Sequence, residues 1–166
     1  MLAFGMTALN FALWANALNL LKGDENDGPM VGTVGSLYGG LGLIITAIWF
    51  GWTQPDSALL SMTTGMYGLV LLGFYFMQAK GLAAGPLGNL CLLVFLNQVV
   101  VLVAMFRGGT AFTDPVFLTF AAYGILVLLF NRLLAGKVEG NIVGYWLIVC
   151  AIGTGYIQFV VTGIWQ

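Results

Sequence analysis

Residues 81–106 read GLAAGPLGNLCLLVFLNQVVVLVAMF, a stretch that contains no Asp, Glu, Lys or Arg. A helix crosses the hydrocarbon core of a bilayer, about 30 Å thick, with roughly 20 mostly apolar residues, because each residue rises about 1.5 Å. The stretch is therefore long enough to span a membrane as a helix. A membrane β-barrel is not indicated, because runs such as Leu69–Leu72 and Val99–Ala104 lack the alternation of polar and apolar residues that barrel strands show.

The rest of the chain is divided in the same way by its few charges. Only 7% of the 166 residues are charged and 60% are hydrophobic, whereas about a quarter of the residues of a soluble domain are charged. The other charge-free segments are 1–21, 28–55, 57–79, 115–131 and 140–166. The short segment 115–131 reaches spanning length if Arg132 snorkels to the membrane surface. We predict an all-α, polytopic membrane protein in which residues 1–166 form one domain, a bundle of six transmembrane helices with spans at approximately 2–21, 30–52, 58–79, 87–106, 115–134 and 141–165.

The orientation of the bundle is predicted from its lysines and arginines. Short links between the helices place each helix antiparallel to the next. Links one, three and five carry Lys22, Lys80, Arg132 and Lys137, whereas links two and four carry only Arg107. Since positive residues favour the cytoplasmic side, we expect the odd-numbered links in the cytoplasm and both termini outside.

The composition also excludes several classes of function. A net charge of −1 without a basic patch gives nucleic-acid binding no basis. The sequence contains no histidine, and Cys91 and Cys150 lie in apolar stretches, so we predict neither a metal site nor a cofactor. No ionisable residue needs to lie deep in the bilayer, which argues against proton relay and charged substrates. No carboxylate pair or Ser–His arrangement is available for catalysis, so we do not expect an enzyme.

Neutral polar residues inside the spans are the candidates for a solute path. An amide side chain offers both donors and an acceptor, as urea and small amides do. A path lined by such groups and by aromatic faces could replace the hydration of a small planar solute, but it offers an ion no compensation. The same amides can instead join helices, through hydrogen bonds worth about 0.6–2 kcal/mol each. Asn16 and Asn97 near mid-span, and Trp14 beside Asn16, are the strongest path candidates.

The 24 glycines favour close packing between helices. Gly35 and Gly39, like Gly140 and Gly144, are spaced four residues apart and so lie on one face of a helix. Small residues at this spacing let two membrane helices approach each other closely. We therefore expect these glycines to lie at helix–helix contacts.

Short strings along the whole chain carry a family resemblance. The longest is LWANALNLLK at 13–22, and shorter ones follow in later helices: YGGL at 38–41, LGFYF at 72–76, LCLLV at 90–94 with Asn97, YGIL at 123–126 and TGY at 154–156. In this order they resemble the six helices of the AmiS/UreI family of urea and amide channels. The family's topology, six spans with both termini outside, is similar to the one inferred above from the charges.

The resemblance implies a homo-oligomer, by family resemblance a hexamer, in the bacterial inner membrane, with a solute path through each subunit. Such channels deliver urea or short aliphatic amides to a cytoplasmic urease or amidase. The family's pore residues correspond to Phe74, Gln78, Phe120, Tyr123 and Val127. Gln78 and Val127 stand where urea-channel members carry aromatic residues, which predicts a wider or differently selective constriction. Acid-gated members use extracytoplasmic histidines, so we expect no gating by histidine protonation here.

The sequence thus predicts a passive channel for urea and/or short-chain amides. Two alternatives stay open: a non-conducting structural or assembly subunit of a membrane complex, and a secondary transporter of a small neutral metabolite. A transporter usually carries an inverted repeat, and residues 1–79 show no convincing similarity to residues 81–166. The predicted path residues are Trp14, Asn16, Phe74, Gln78, Asn97, Phe120, Tyr123, Val127 and Tyr156.

Overall fold

The computed structural model describes residues 2–22, 28–53 and 58–162, and all regular structure within them is α-helix. The all-α prediction is therefore confirmed for this part of the chain. The described helices are α1 (Leu2–Lys22), α2 (Gly28–Thr53), α3 (Ala58–Lys80), α4 (Ala84–Arg107), α5 (Pro115–Leu134) and α6 (Gly140–Thr162). The predicted end of the sixth span, residues 163–165, lies outside the described residues.

The ends of the helices follow from local chemistry. Asp114 caps α5, because its side chain accepts a hydrogen bond from the backbone N–H of Val116 at 2.7 Å. α4 begins at Ala84, three residues earlier than predicted. Pro86 is compatible with this earlier start, because it lies in the first turn of the helix, where a missing N–H is tolerated. Gly81 directly follows α3 at φ +65°, a left-handed conformation that glycine adopts without strain.

Five of the described helices, α2 to α6, are long and apolar enough to cross a membrane. α1 has the length, but Asn10, Asn16 and Asn19 lower its hydropathy. The prediction of transmembrane helices is confirmed for five of the six spans by length and composition. The first span stays a prediction.

The described helices form a closed ring. Each helix packs against the next one along the chain, and α6 packs against α1. We call the end of the ring that carries the first turns of α1, α3 and α5 the open end, and the opposite end the packed end. The ring brings residues from helices far apart in sequence to one common axis.

Small residues allow α1 and α2 to pack closely. A Cβ atom added to Gly35 would overlap the Cβ of Ala15, and one added to Gly39 would overlap the Cβ of Ala12. Gly144 likewise packs on α1, where an added Cβ would lie 2.8 Å from Leu21 Cγ. The predicted role of these glycines as helix contacts is confirmed.

The asparagines of α1 turn towards neighbouring helices. Asn16 Nδ2 donates to Ser36 Oγ at 3.0 Å, and Ser36 Oγ donates to Asn16 Oδ1 at 3.1 Å. Asn19 packs over Gly32 of α2, where an added Cβ would lie 2.6 Å from Asn19 Nδ2. Asn10 packs beside a glycine of α6. α1 thus directs its amides into the ring's helix contacts.

Candidate functional site

A cavity of about 270 Å³ lies at the open end, between α1, α2, α3, α5 and α6. Most of its wall is aliphatic, with Leu9 and Leu43 among the lining residues, and no residue that lines it carries a formal charge at neutral pH. Polar atoms enter the wall as the hydroxyls of threonine and tyrosine. We call this space the axial cavity.

The threonine hydroxyls of the wall are already engaged as donors. Thr46, Thr63 and Thr64 each donate to the backbone carbonyl four residues earlier in the same helix, at 2.7–2.8 Å. Since each hydroxyl has one proton and two lone pairs, its oxygen keeps the capacity to accept a hydrogen bond. These oxygens nevertheless form only a small part of the wall, which is almost entirely apolar.

Two tyrosines form the inner end of the axial cavity, and a buried glutamine lies behind them. The rings of Tyr67 and Tyr123 lie 5.7 Å apart, centre to centre. The Tyr67 hydroxyl donates to Gln98 Oε1 at 3.1 Å, and Gln98 Nε2 donates to the carbonyl of Phe120 at 2.8 Å. Gln98 is fully buried, so this chain of hydrogen bonds ties α3, α4 and α5 together below the cavity.

The Tyr123 hydroxyl makes a separate hydrogen bond to α6. Thr154 donates its single proton to the carbonyl of Cys150 at 2.7 Å. Thr154 must therefore accept from the Tyr123 hydroxyl in their mutual hydrogen bond. The floor of the cavity is thus held on both sides by satisfied hydrogen bonds, which fix the two aromatic rings in place.

Below the tyrosines, the axis of the ring is filled with side chains. Phe74 and Phe130 contact each other with ring centroids 4.5 Å apart. Val94, Val127 and Leu147 pack in the same core and are essentially inaccessible. The axial cavity is therefore closed towards the packed end.

Four of the predicted path residues lie on or beside the axis. Phe120 and Tyr123 line the axial cavity. Phe74 and Val127 belong to the packed core below it. The structure brings these four residues together around the axis, and their role in a solute path stays a prediction.

Three predicted path amides join helices instead. Asn16 bonds Ser36 across the α1–α2 contact. Gln78 Oε1 accepts from the Thr33 hydroxyl at 3.2 Å, linking α2 to α3. Asn97 Nδ2 donates to Thr63 Oγ at 3.2 Å, linking α4 to α3. This is the alternative role that the sequence left open for them.

Trp14 and Tyr156 are also away from the cavity, on the outer surface of the ring, 42% and 37% exposed.

Similar hydrogen bonds occur at the remaining contacts of the ring. Asn131 Nδ2 donates to the carbonyl of Gly88 at 2.9 Å, linking α5 to α4. Trp146 Nε1 donates to the carbonyl of Ala122 at 2.8 Å, linking α6 to α5. Gln158 donates to a threonine of α1. Every pair of neighbouring helices in the ring therefore shares at least one hydrogen bond that involves a side chain.

Tyr67, Thr63 and Gln98 were not among the predicted path residues. One signal was present, because Tyr67 follows Thr63 by four residues and Thr64 by three, so that all three share one face of α3. Which face of α3 points to the axis cannot be derived from that spacing.

No protein-family model, curated protein or solved structure matches the chain. Among the described residues, no group of three or more His, Cys, Asp or Glu side chains could hold a metal ion. The arrangement offers a neutral, largely apolar pocket on the axis of a helical ring.

Proposed function

We propose that the protein is a passive membrane channel for urea and/or short-chain amides, with the axial cavity as its entrance. The observation that carries the proposal is the closed ring of helices around an uncharged cavity whose inner end is formed by tyrosines. In this proposal α1 also crosses the membrane, which brings the number of spans to six, and both termini and the open end face the outside. The distribution of lysines and arginines supports that orientation, because Lys80 and Arg132 lie at the packed end.

The uncharged, largely apolar wall of the axial cavity suits a neutral solute better than an ion. Urea and primary amides are neutral and present N–H donors together with a flat face. The oxygens of Thr46 and Thr64 can accept from such donors, because both hydroxyl protons are donated to the helix backbone. An ion entering the same space would lose its hydration shell without a compensating charge, which is strongly unfavourable.

Passage to the packed end requires the side chains of the core to move. In this proposal the structure is a closed state, and the Phe74–Phe130 pair separates to let a solute through. Rotamer changes and helix shifts on the scale of microseconds to milliseconds would open such a path transiently.

The closed core also favours a second candidate, a secondary transporter of a small neutral metabolite. A cavity that is open at one end and packed at the other is the arrangement expected of one state of an alternating-access carrier. The two candidates differ in kinetics, because a carrier saturates with substrate concentration and a channel for a weakly bound solute does not.

The remaining parts of the proposal rest on the ordered sequence strings alone. They are membership of the AmiS/UreI family, a hexameric assembly, a place in the bacterial inner membrane and a functional link to a cytoplasmic urease or amidase. None of them is needed for the proposed role of the axial cavity. A different oligomeric state, for example, would leave the proposed path unchanged.

A pair of tryptophan variants in α1 tests whether the axial cavity is the path. Leu9 lines the cavity, so Leu9→Trp fills it, whereas Phe11 is 47% exposed on the outer surface of the same helix. In proteoliposomes we expect urea and acetamide entry to fall towards that of protein-free vesicles for Leu9→Trp. Entry should stay at the wild-type rate for Phe11→Trp. Equal entry through both variants, with both inserted and folded, would exclude the axial cavity as the route.

A further inference from the structure

A second cavity of about 390 Å³ lies beside the axial cavity, between α3, α4 and α5. We call it the lateral cavity. Val101 and Met105 of α4 line it and do not line the axial cavity. The residues that line both cavities, here called the partition, are Leu60, Thr63, Val116 and Phe120.

The partition is a single layer of side chains, because the same four residues form the wall of each cavity. Hydrogen bonds from two adjacent residues of α4 hold the partition at one depth in the bundle. Asn97 donates to Thr63, and Gln98, which follows it, donates to the carbonyl of Phe120. One and two turns further towards the open end, Val101 and Met105 line the lateral cavity. α3 and α4 are also the least closely packed neighbours in the ring.

The chemistry of the lateral cavity suits an uncharged, lipophilic occupant. The side chains that line it are apolar except for Thr63, whose hydroxyl already donates to its own helix and accepts from Asn97. Leu59 lines the cavity and is 39% exposed on the side of the ring. The nearby outer surface of α4 is apolar as well, with Val103 exposed. An opening among such residues attracts molecules dissolved in the bilayer rather than ions or strongly hydrated solutes.

We propose that the lateral cavity is a second entrance, through which uncharged lipophilic solutes pass from the bilayer across the partition into the axial cavity. The entrance lies at the first turns of α3 and α5 and the last turns of α4, near one surface of the membrane. Small amphiphilic molecules concentrate at that depth. The inference does not depend on the transport of urea or amides, because it concerns only how an apolar molecule reaches the cavity.

The test uses an apolar aryl diazirine that partitions into phosphatidylcholine vesicles containing the full chain. After irradiation, mass spectrometry locates the labelled residues. In the wild type we expect labels at Met105, in the lateral cavity, and at Met6, which lines only the axial cavity. Met105→Trp fills the lateral cavity and should lower labelling at Met6 at least about fivefold, because close-packed side chains leave no room for the molecule to pass.

Val103→Trp is the matched control, because it adds the same side chain to the outer face of α4. It should leave labelling at Met6 unchanged. If Met105→Trp does not fold, Val101→Phe fills the same cavity and serves as the second variant. Labelling at Met6 that is unaffected by filling the lateral cavity would overturn the proposal, because the molecule would then enter by the open end. Wild-type labelling at Met105 with none at Met6 would overturn it as well.

Discussion

Substitution of Asn16 by leucine tests whether the amides of this protein join helices or line a path. Asn16 Nδ2 donates to the carbonyl of Ala12 at 2.9 Å and to Ser36 Oγ at 3.0 Å, and Ser36 donates back to Asn16 Oδ1. An interhelical hydrogen bond in a membrane contributes about 0.6 kcal/mol on average. The substitution also leaves the fully buried Ser36 hydroxyl without its partner, which costs about 1–3 kcal/mol. Together these terms predict that Asn16→Leu lowers the free energy of unfolding by about 2 kcal/mol.

The measurement is reversible unfolding in bicelles, combined with flux per folded protein in proteoliposomes. Ser36→Ala in the Asn16→Leu background removes the unpaired hydroxyl and should restore part of the lost stability, since replacing both partners of a hydrogen bond by apolar groups is nearly neutral. Because Asn16 lies between α1 and α2 and does not line the axial cavity, flux should stay unchanged. Unaltered stability together with a strong loss of flux would refute this reasoning and assign Asn16 to the path.

Three further predictions follow from the packing of the ring and the lining of its cavity. Gly35→Ala adds a Cβ that overlaps Ala15 and should destabilise the protein by about 1–3 kcal/mol in the same unfolding assay, whereas Gly85→Ala, where nothing lies within 4 Å, should not. Phe130→Ala removes the partner of Phe74 in the packed core, so urea flux should rise while the free energy of unfolding falls by about 3–5 kcal/mol; unchanged flux in the folded variant would show that this pair does not limit passage. Flux should be the same at pH 5 and pH 7.5, because no side chain that lines the axial cavity ordinarily titrates in that range, and a stopped-flow comparison at the two values checks it.

Much of the fold was predictable because charges are so costly in hydrocarbon. The few charged residues mark the links, and the helices begin and end within a few residues of the charge-free segments. α1 is the exception, because its asparagines make it less apolar than the other helices. Asn16 and Asn19 are nevertheless both turned into the contact with α2. Average hydropathy does not record where a polar group points.

The candidate site was less predictable, because its geometry depends on how each helix is rotated about its own axis. A soluble helix reveals its inner face by its apolar stripe, but a helix in lipid is apolar on all sides. Gln78 and Asn97 therefore look alike whether they meet a solute or another helix, and the structure places both at helix contacts. Tyr67 is the converse case, a cavity residue whose spacing from Thr63 and Thr64 places all three on one face of α3 without showing that this face points to the axis. Trp14 lies on the outer surface of the ring, although Asn16, two residues later in the sequence, is buried.

The orientation of the amides also explains how a ring with so few charges is held together. Lipid gives two helices no hydrophobic reason to associate, so close packing and hydrogen bonds between helices carry more of the stability. α1 and α2 rely on small residues such as Gly35 and Gly39. α3, α4 and α5 meet at Gln98, which bonds both Tyr67 and the backbone of Phe120. Variants at Gln98 are therefore unsuitable for testing flux alone, because they disturb three helices at once.

The central claim is that neutral amides cross the protein passively, and the most direct test is the concentration dependence of solute entry into proteoliposomes. Purified protein is reconstituted, and re-swelling after an osmotic shock is followed by stopped flow with urea, acetamide and glycerol. If the protein is a passive channel, urea or acetamide should enter much faster than into protein-free vesicles, without saturation, while glycerol enters slowly. Entry that saturates would favour the carrier, and entry no faster than into protein-free vesicles for all three solutes would contradict the claim.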